Sequence, residues 1–104
     1  MALNYDEITR KYDKYIFQTY TRQPIAIRSA QGAIVTDVNG KEYIDCVAGI
    51  AVNNVGHCHP VVVDAIKRQV EQLIHVSNLY YTENQALLAQ ELVTISGMDR
   101  VFYC

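Results

Sequence analysis

A chain of 104 residues, half of them hydrophobic and 19% charged, has the composition of one small folded domain or part of a larger one, and that composition argues against disorder. A formal charge of −2 gives no basic field to hold nucleic acid. No apolar run approaches the length that spans a bilayer, and the N-terminus MALNYDEITRKYDKY lacks the apolar stretch of a secretory signal.

Asn4-Tyr-Asp-Glu7 reads as a helix start, with Asn4 as N-cap and Glu7 reaching back to it. Ile8, Tyr12, Tyr15 and Ile16 follow at helical spacing and form one apolar stripe. Thr19 to Pro24 breaks the pattern, and Pro24 drives Gln23 out of the helical region, so an extended arm is expected. Ala33–Val38 and Lys41–Asp45 flank Asn39-Gly40, the dipeptide that best tolerates a type I′ turn. Cys46 to Val55 is apolar and reaches a sharp break at Gly56. Pro60 suits the first position of a helix whose buried face is Val62, Ile66, Val70 and Leu73, with Asp64 and Arg68 paired one turn apart on the wet side. Thr82-Glu-Asn-Gln85 reads as a second capping box, opening a helix with Leu88, Leu92 and Ile95 on one face. Gly97 ends it in a left-handed cap, and Arg100 to Cys104 looks like the start of a strand left without a neighbour.

Each candidate chemistry competes with a structural use of the same residues. His57, Cys58 and His59, with Cys46 and His75 near in sequence, invite a zinc reading. Adjacent residues in a tight turn point in divergent directions, however, and no convergent ligand spacing is present, so no metal is expected. The histidines are expected to satisfy backbone groups in a strand-to-helix turn that Gly56 permits. Cys58 lacks an orienting third group for nucleophilic work. The cysteines, Cys46, Cys58 and Cys104, fall at irregular spacing and suit reduced thiols in a cytoplasmic chain. Gly49 and Gly56 make neither a dinucleotide fingerprint nor a P-loop. The eight tyrosines are more readily packing groups than base-stacking platforms in an acidic chain. Lys11, Lys14, Lys41 and Lys67 all fall on polar faces or in a turn, so no lysine stands out for Schiff-base work.

The residues Gly32, Asp37-Val-Asn-Gly40, Tyr43-Ile-Asp45, Gly56-His-Cys-His-Pro60 and Gln69 together resemble the N-terminal region of class III pyridoxal-phosphate aminotransferases. Within that class, Ala48-Gly-Ile-Ala-Val-Asn53 and His75-Val-Ser-Asn-Leu-Tyr80 are similar to the acetylornithine branch. Val101-Phe-Tyr-Cys104 looks like the strand just before the family's Asn-Ser-Gly-x-Glu-Ala segment. The likeness covers the chain from about Tyr20 onward.

The resemblance implies an α/β protein of fold type I, several times longer than this chain and α+β in this portion. A helix and arm would occupy residues 1–24, and a small antiparallel sheet with a linking helix residues 25–81. The start of the large cofactor-binding domain would occupy residues 82–104. It also implies a homodimer with active sites at the subunit boundary. Pyridoxal phosphate would pass an amine between a small-molecule donor and 2-oxoglutarate, the cofactor supplying the carbanion chemistry. The phosphate-binding segment, the carboxylate-gripping arginine and the Schiff-base lysine would lie beyond Cys104, so the chain alone is expected to be inactive. No catalytic residue is assigned within it.

Four residues carry over from the family as site candidates. Tyr20 resembles the aromatic residue near the substrate carboxylate, with packing at a helix end as the competing use. Ile50 stands where ornithine aminotransferases tend to carry a tyrosine, with ordinary burial as the competing use. An isoleucine there cannot donate a hydrogen bond, which favours N-acetylornithine or 4-aminobutyrate over ornithine as donor. Asn78 and Tyr80 are expected near the cofactor region across the dimer boundary. Other class III substrates, ornithine, 4-aminobutyrate or a carrier-linked lysine, stay open. So does a non-catalytic module docking through the Val101–Cys104 edge.

Overall fold

A computed structural model describes residues 2–104. The chain divides into two units, one ending at Lys67 and one running from Arg68 to Cys104.

The first unit opens with helix α1, Tyr5–Tyr15. Its first-turn amides have no intrahelical acceptors. The expected capping box supplies them: the Asn4 side chain accepts from the Glu7 N–H at 2.9 Å, and Glu7 Oε2 accepts from the Asn4 N–H at 3.0 Å. Three antiparallel strands follow in the order β1 (Ile27–Gln31), β2 (Ile34–Asp37) and β3 (Glu42–Ile44). Strand β1 lies between Pro24 and the expected hairpin, where the sequence reading named no individual strand. Its pairing steps from Ile27↔Asp37 to Ser29↔Thr36, leaving Arg28 as the extra residue of a bulge. The freed Arg28 side chain donates to the carbonyls of Val38 and Leu3, both at 3.0 Å. It thereby ties the β2–β3 loop and the N-terminal segment to the sheet.

The β2–β3 turn differs from the type I′ expectation. Asn39 has no positive φ, whereas Gly40 has φ +86, and the Gly40 N–H donates to Asp37 O at 3.1 Å. This is a three-residue loop with glycine in the left-handed position. The Asp37 side chain explains the choice, because its Oδ1 accepts from the Asn39 and Lys41 amides at 2.8 and 2.9 Å. The Tyr43 hydroxyl donates to its other oxygen at 3.2 Å. The Lys41 amide first, then the Asn39 amide and the Tyr43 hydroxyl, hold this carboxyl below the ordinary carboxylate range.

A helix from Pro60 to Val70 begins at the proline, as expected, and runs across the division between the units. The second unit adds a short 3₁₀ turn at Ser77–Leu79 and a helix at Glu83–Ser96. Gly97 closes that helix at φ 69 and ψ 13, its N–H donating to Val93 O. The capping box expected at its start does not form. Thr82 makes no side-chain cap, and the Gln85 side chain donates to Asn78 where it was expected to reach back to Thr82. Asp64 and Arg68 do not pair either; among the described residues the contact of this kind is the one between His57 and Asp45. Residues 101–104, expected to begin a strand without a neighbour, join no strand ladder. Among the described residues no helix is long and apolar enough to cross a membrane.

Among the described residues no apolar side chain is buried, and Asp37 is the one buried residue. The faces expected to be buried, Val62, Ile66 and Val70 on one helix with Leu73 just past its end, and Leu88, Leu92 and Ile95 on the other, are exposed. Amphipathic stripes of this kind are built to be covered by further structure.

Candidate functional site

Directly after β3 the chain turns in the left-handed sense. Ala48, Gly49, Ile50 and Ala51 have φ of 52°, 65°, 60° and 61°. The Ala51 N–H donates to Val47 O at 3.0 Å and the Val52 N–H to Ala48 O at 2.9 Å. Left-handed geometry costs an L-residue about 1–2 kcal/mol, so the three non-glycine residues carry about 3–6 kcal/mol of strain. Something must hold the turn, and Asp45 does. Its Oδ1 accepts from the Val47 and Ala48 amides, both at 2.9 Å. Its Oδ2 lies 2.6 Å from His57 Nε2. A carboxylate only accepts, so Nε2 carries the proton in this pair. The His57 hydrogen bond, then the Ala48 and Val47 amides, pull the Asp45 carboxyl down to about 2 from its ordinary 3.8.

His57 is itself fixed through its backbone. It exchanges two hydrogen bonds with Gly32, at 2.9 and 2.8 Å. This approach is possible because Gly56 has no side chain: a Cβ there would stand 3.0 Å from the Gly32 Cα, at φ +88. The Gly56–Pro60 motif is thus a bend, as expected, but its first histidine side chain serves a carboxylate where backbone groups were expected. Cys58 is exposed, and His59 keeps a buried Nδ1 with no partner. Among the described residues no group of three His, Cys, Asp or Glu could hold a metal ion.

Ile50 projects from this turn at 88% exposure, so within this chain it is not a buried packing residue. Tyr20 is also exposed and lines a groove of about 890 Å³ together with Tyr5, Tyr12, Arg22 and Pro24. The Arg22 guanidinium lies over the Tyr12 ring, 5.0 Å from its centroid, and donates to Tyr20 O at 3.3 Å. Ile50 does not line that groove.

In the second unit, Asn78 sits in the 3₁₀ turn with both ends of its amide engaged. Its Oδ1 accepts from Gln85 Nε2 at 2.9 Å and its Nδ2 donates to Tyr103 O at 3.4 Å. The Tyr103 hydroxyl closes the ring onto Gln85 O at 3.0 Å. Tyr80, two residues on, is exposed. The Asp45–His57 pair escaped the sequence reading. Both residues lay inside singled-out motifs, but no local spacing links positions twelve residues apart.

A Schiff base needs an amine whose surroundings favour the neutral form. Lys11, Lys14, Lys41 and Lys67 are all exposed, and the ammonium groups of Lys14 and Lys41 lie over the Tyr15 and Tyr43 rings. The described residues of this chain therefore do not by themselves fit pyridoxal phosphate.

Comparison with known proteins places this geometry. The chain is 63% identical to an acetylornithine aminotransferase of Methanosarcina mazei over 104 residues, all of this chain and 26% of that protein. The crystal structure of acetylornithine aminotransferase from Elizabethkingia anophelis matches 95% of the chain with a TM-score of 0.88 at 26% identity, over 26% of its own length. An ornithine aminotransferase from Toxoplasma gondii matches 95% of the chain with a TM-score of 0.86 at 30% identity, over 23% of its length. The chain thus spans about a quarter of the relatives it matches. The family model for class-III aminotransferases covers residues 15–104, and the chain belongs to that family.

Proposed function

We propose that these residues form the N-terminal segment of an enzyme that moves an amino group between N-acetylornithine and 2-oxoglutarate, in arginine biosynthesis. The observation that carries this reading is the 63% identity over all 104 residues to a protein of that name. Pyridoxal phosphate supplies the carbanion chemistry when bound, held by parts of the enzyme other than this segment. The exposed apolar faces of the Pro60–Val70 and Glu83–Ser96 helices fit a segment covered by the rest of such a protein. In this reading residues 1–24 form the helix and arm, 25–81 the small sheet with its linking helix, and 82–104 open the large domain. The enzyme acts as a cytoplasmic homodimer.

Tyr20 stands beside the substrate carboxylate, and Ile50 beside the donor side chain. Asn78 and Tyr80 approach the cofactor region of the partner subunit. The backbone of this segment is shared with an ornithine aminotransferase, so donor choice rests on side chains. Ile50 has no group to bond a charged ammonium, which favours the acylated donor. The test is a chimera in which residues 1–104 replace the matching segment of the Methanosarcina mazei enzyme. A chimera that binds pyridoxal phosphate and transfers amine from N-acetylornithine to 2-oxoglutarate supports the reading. One that binds the cofactor and leaves N-acetylornithine untouched contradicts it.

A further inference from the structure

The left-handed turn cannot hold itself. Ala48, Ile50 and Ala51 carry side chains at φ of 52°, 60° and 61°, a conformation such residues leave when unrestrained. Two attachments fix its entry. Asp45 Oδ1 binds the Val47 and Ala48 amides, while the Asp45 N–H donates to Ala33 O at 2.9 Å. Asp45 Oδ2 meets His57 Nε2 at 2.6 Å, and the His57 backbone is bridged to Gly32. The turn is therefore referred to the sheet through one carboxylate and one imidazole.

We infer that Asp45 and His57 are positioning residues that set where the Ile50 side chain meets the amino donor. The inference rests on the proposed placement of Ile50 beside the donor. Neither residue needs to touch substrate. Loss of the carboxylate frees the Val47 and Ala48 amides and lets the turn relax toward right-handed conformations, carrying Ile50 away. The consequence is misplacement of the donor, which reads out in binding before chemistry.

The experiment uses the chimera, with N-acetylornithine as probe, and compares Asp45→Ala, Asp45→Asn, His57→Gln, Ile50→Ala and the Asp45→Ala/Ile50→Ala double variant. KM, kcat, melting temperature and bound pyridoxal phosphate are measured for each. Asp45→Ala is expected to raise KM about tenfold while kcat changes less than about threefold. Asp45→Asn, whose amide oxygen still accepts from the turn, recovers part of that loss. In the Ile50→Ala background, Asp45→Ala adds less than about twofold, because both act on one contact. Where the alanine variant does not fold, Asp45→Asn and His57→Gln carry the same comparison. Clamp variants that lower the melting temperature without moving KM, or effects that simply multiply, overturn the inference and leave the placement of Ile50 standing. An unchanged KM in Ile50→Ala instead removes the placement of Ile50, and the inference with it.

Discussion

Gly56→Ala separates a close backbone approach from ordinary glycine flexibility. The new Cβ would meet the Gly32 Cα at 3.0 Å, its carbonyl carbon at 3.2 Å and its oxygen at 3.3 Å, all backbone atoms, at φ +88. The left-handed conformation alone costs about 1–2 kcal/mol. Pushing the two backbone segments apart also weakens both hydrogen bonds between Gly32 and His57, at about 0.5–1.5 kcal/mol each. The sum is about 2–5 kcal/mol of local stability, at least roughly 30-fold in the opening equilibrium. Gly40→Ala is the control, since it has φ +86 and nothing within 4 Å of its Cβ, leaving only the conformational cost. Hydrogen exchange of the chimera reads the two directly. In Gly56→Ala the Gly32 and His57 amides should exchange at least roughly 30-fold faster. In Gly40→Ala the acceleration should fall at the hairpin and stay near 5–30-fold, the equivalent of about 1–2 kcal/mol. Unaltered exchange at Gly32 and His57 in Gly56→Ala would refute the steric argument.

Removing the first helix cap by Asn4→Ala takes away the acceptor of the Glu7 amide, while the backbone N–H that donates to Glu7 Oε2 is retained; the start of α1 should exchange about fivefold faster, for a cost of about 1 kcal/mol. The folded Asp45 carboxyl titrates at about 2 against 3.8 when free, so its stabilisation is complete above pH 3.8 and disappears as pH falls toward 2. The melting-temperature gap between the chimera and its Asp45→Asn variant should accordingly be flat above pH 3.8 and narrow below it; a gap unchanged at low pH contradicts the pairing. Ile50→Tyr places a hydroxyl on an exposed site of the turn and should shift relative kcat/KM toward ornithine by about tenfold. An unaltered ratio would move donor recognition elsewhere.

What the sequence reveals divides by how local the cause is. The Asn4–Glu7 box, Pro60 at a helix start and Gly97 at a helix end each depend on neighbours within a turn, and all were legible. The Thr82 box was misread: Gln85 donates to Asn78 seven residues back, a partner the four-residue motif does not contain. The hairpin position was legible from Asn39-Gly40. Its turn type was not, since the choice belongs to the Asp37 carboxylate and the two amides it collects. Strand β1 gave little signal, for Ile27–Gln31 has weak alternation and is held by pairing with β2. The left-handed turn at Ala48–Ala51 is the least legible element. Its alanines and isoleucine disfavour that conformation, and the groups that impose it lie at Asp45 and His57. Family likeness marked that stretch through its residues, while its geometry came from the structure.

The central claim is that this segment belongs to an enzyme whose amino donor is acylated ornithine. The most direct measurement is the ratio of kcat/KM for N-acetylornithine to that for ornithine in the chimera, with 2-oxoglutarate as acceptor. The account predicts that N-acetylornithine is preferred by at least about tenfold, since Ile50 offers no hydrogen bond to a free ammonium. A preference for ornithine would contradict it.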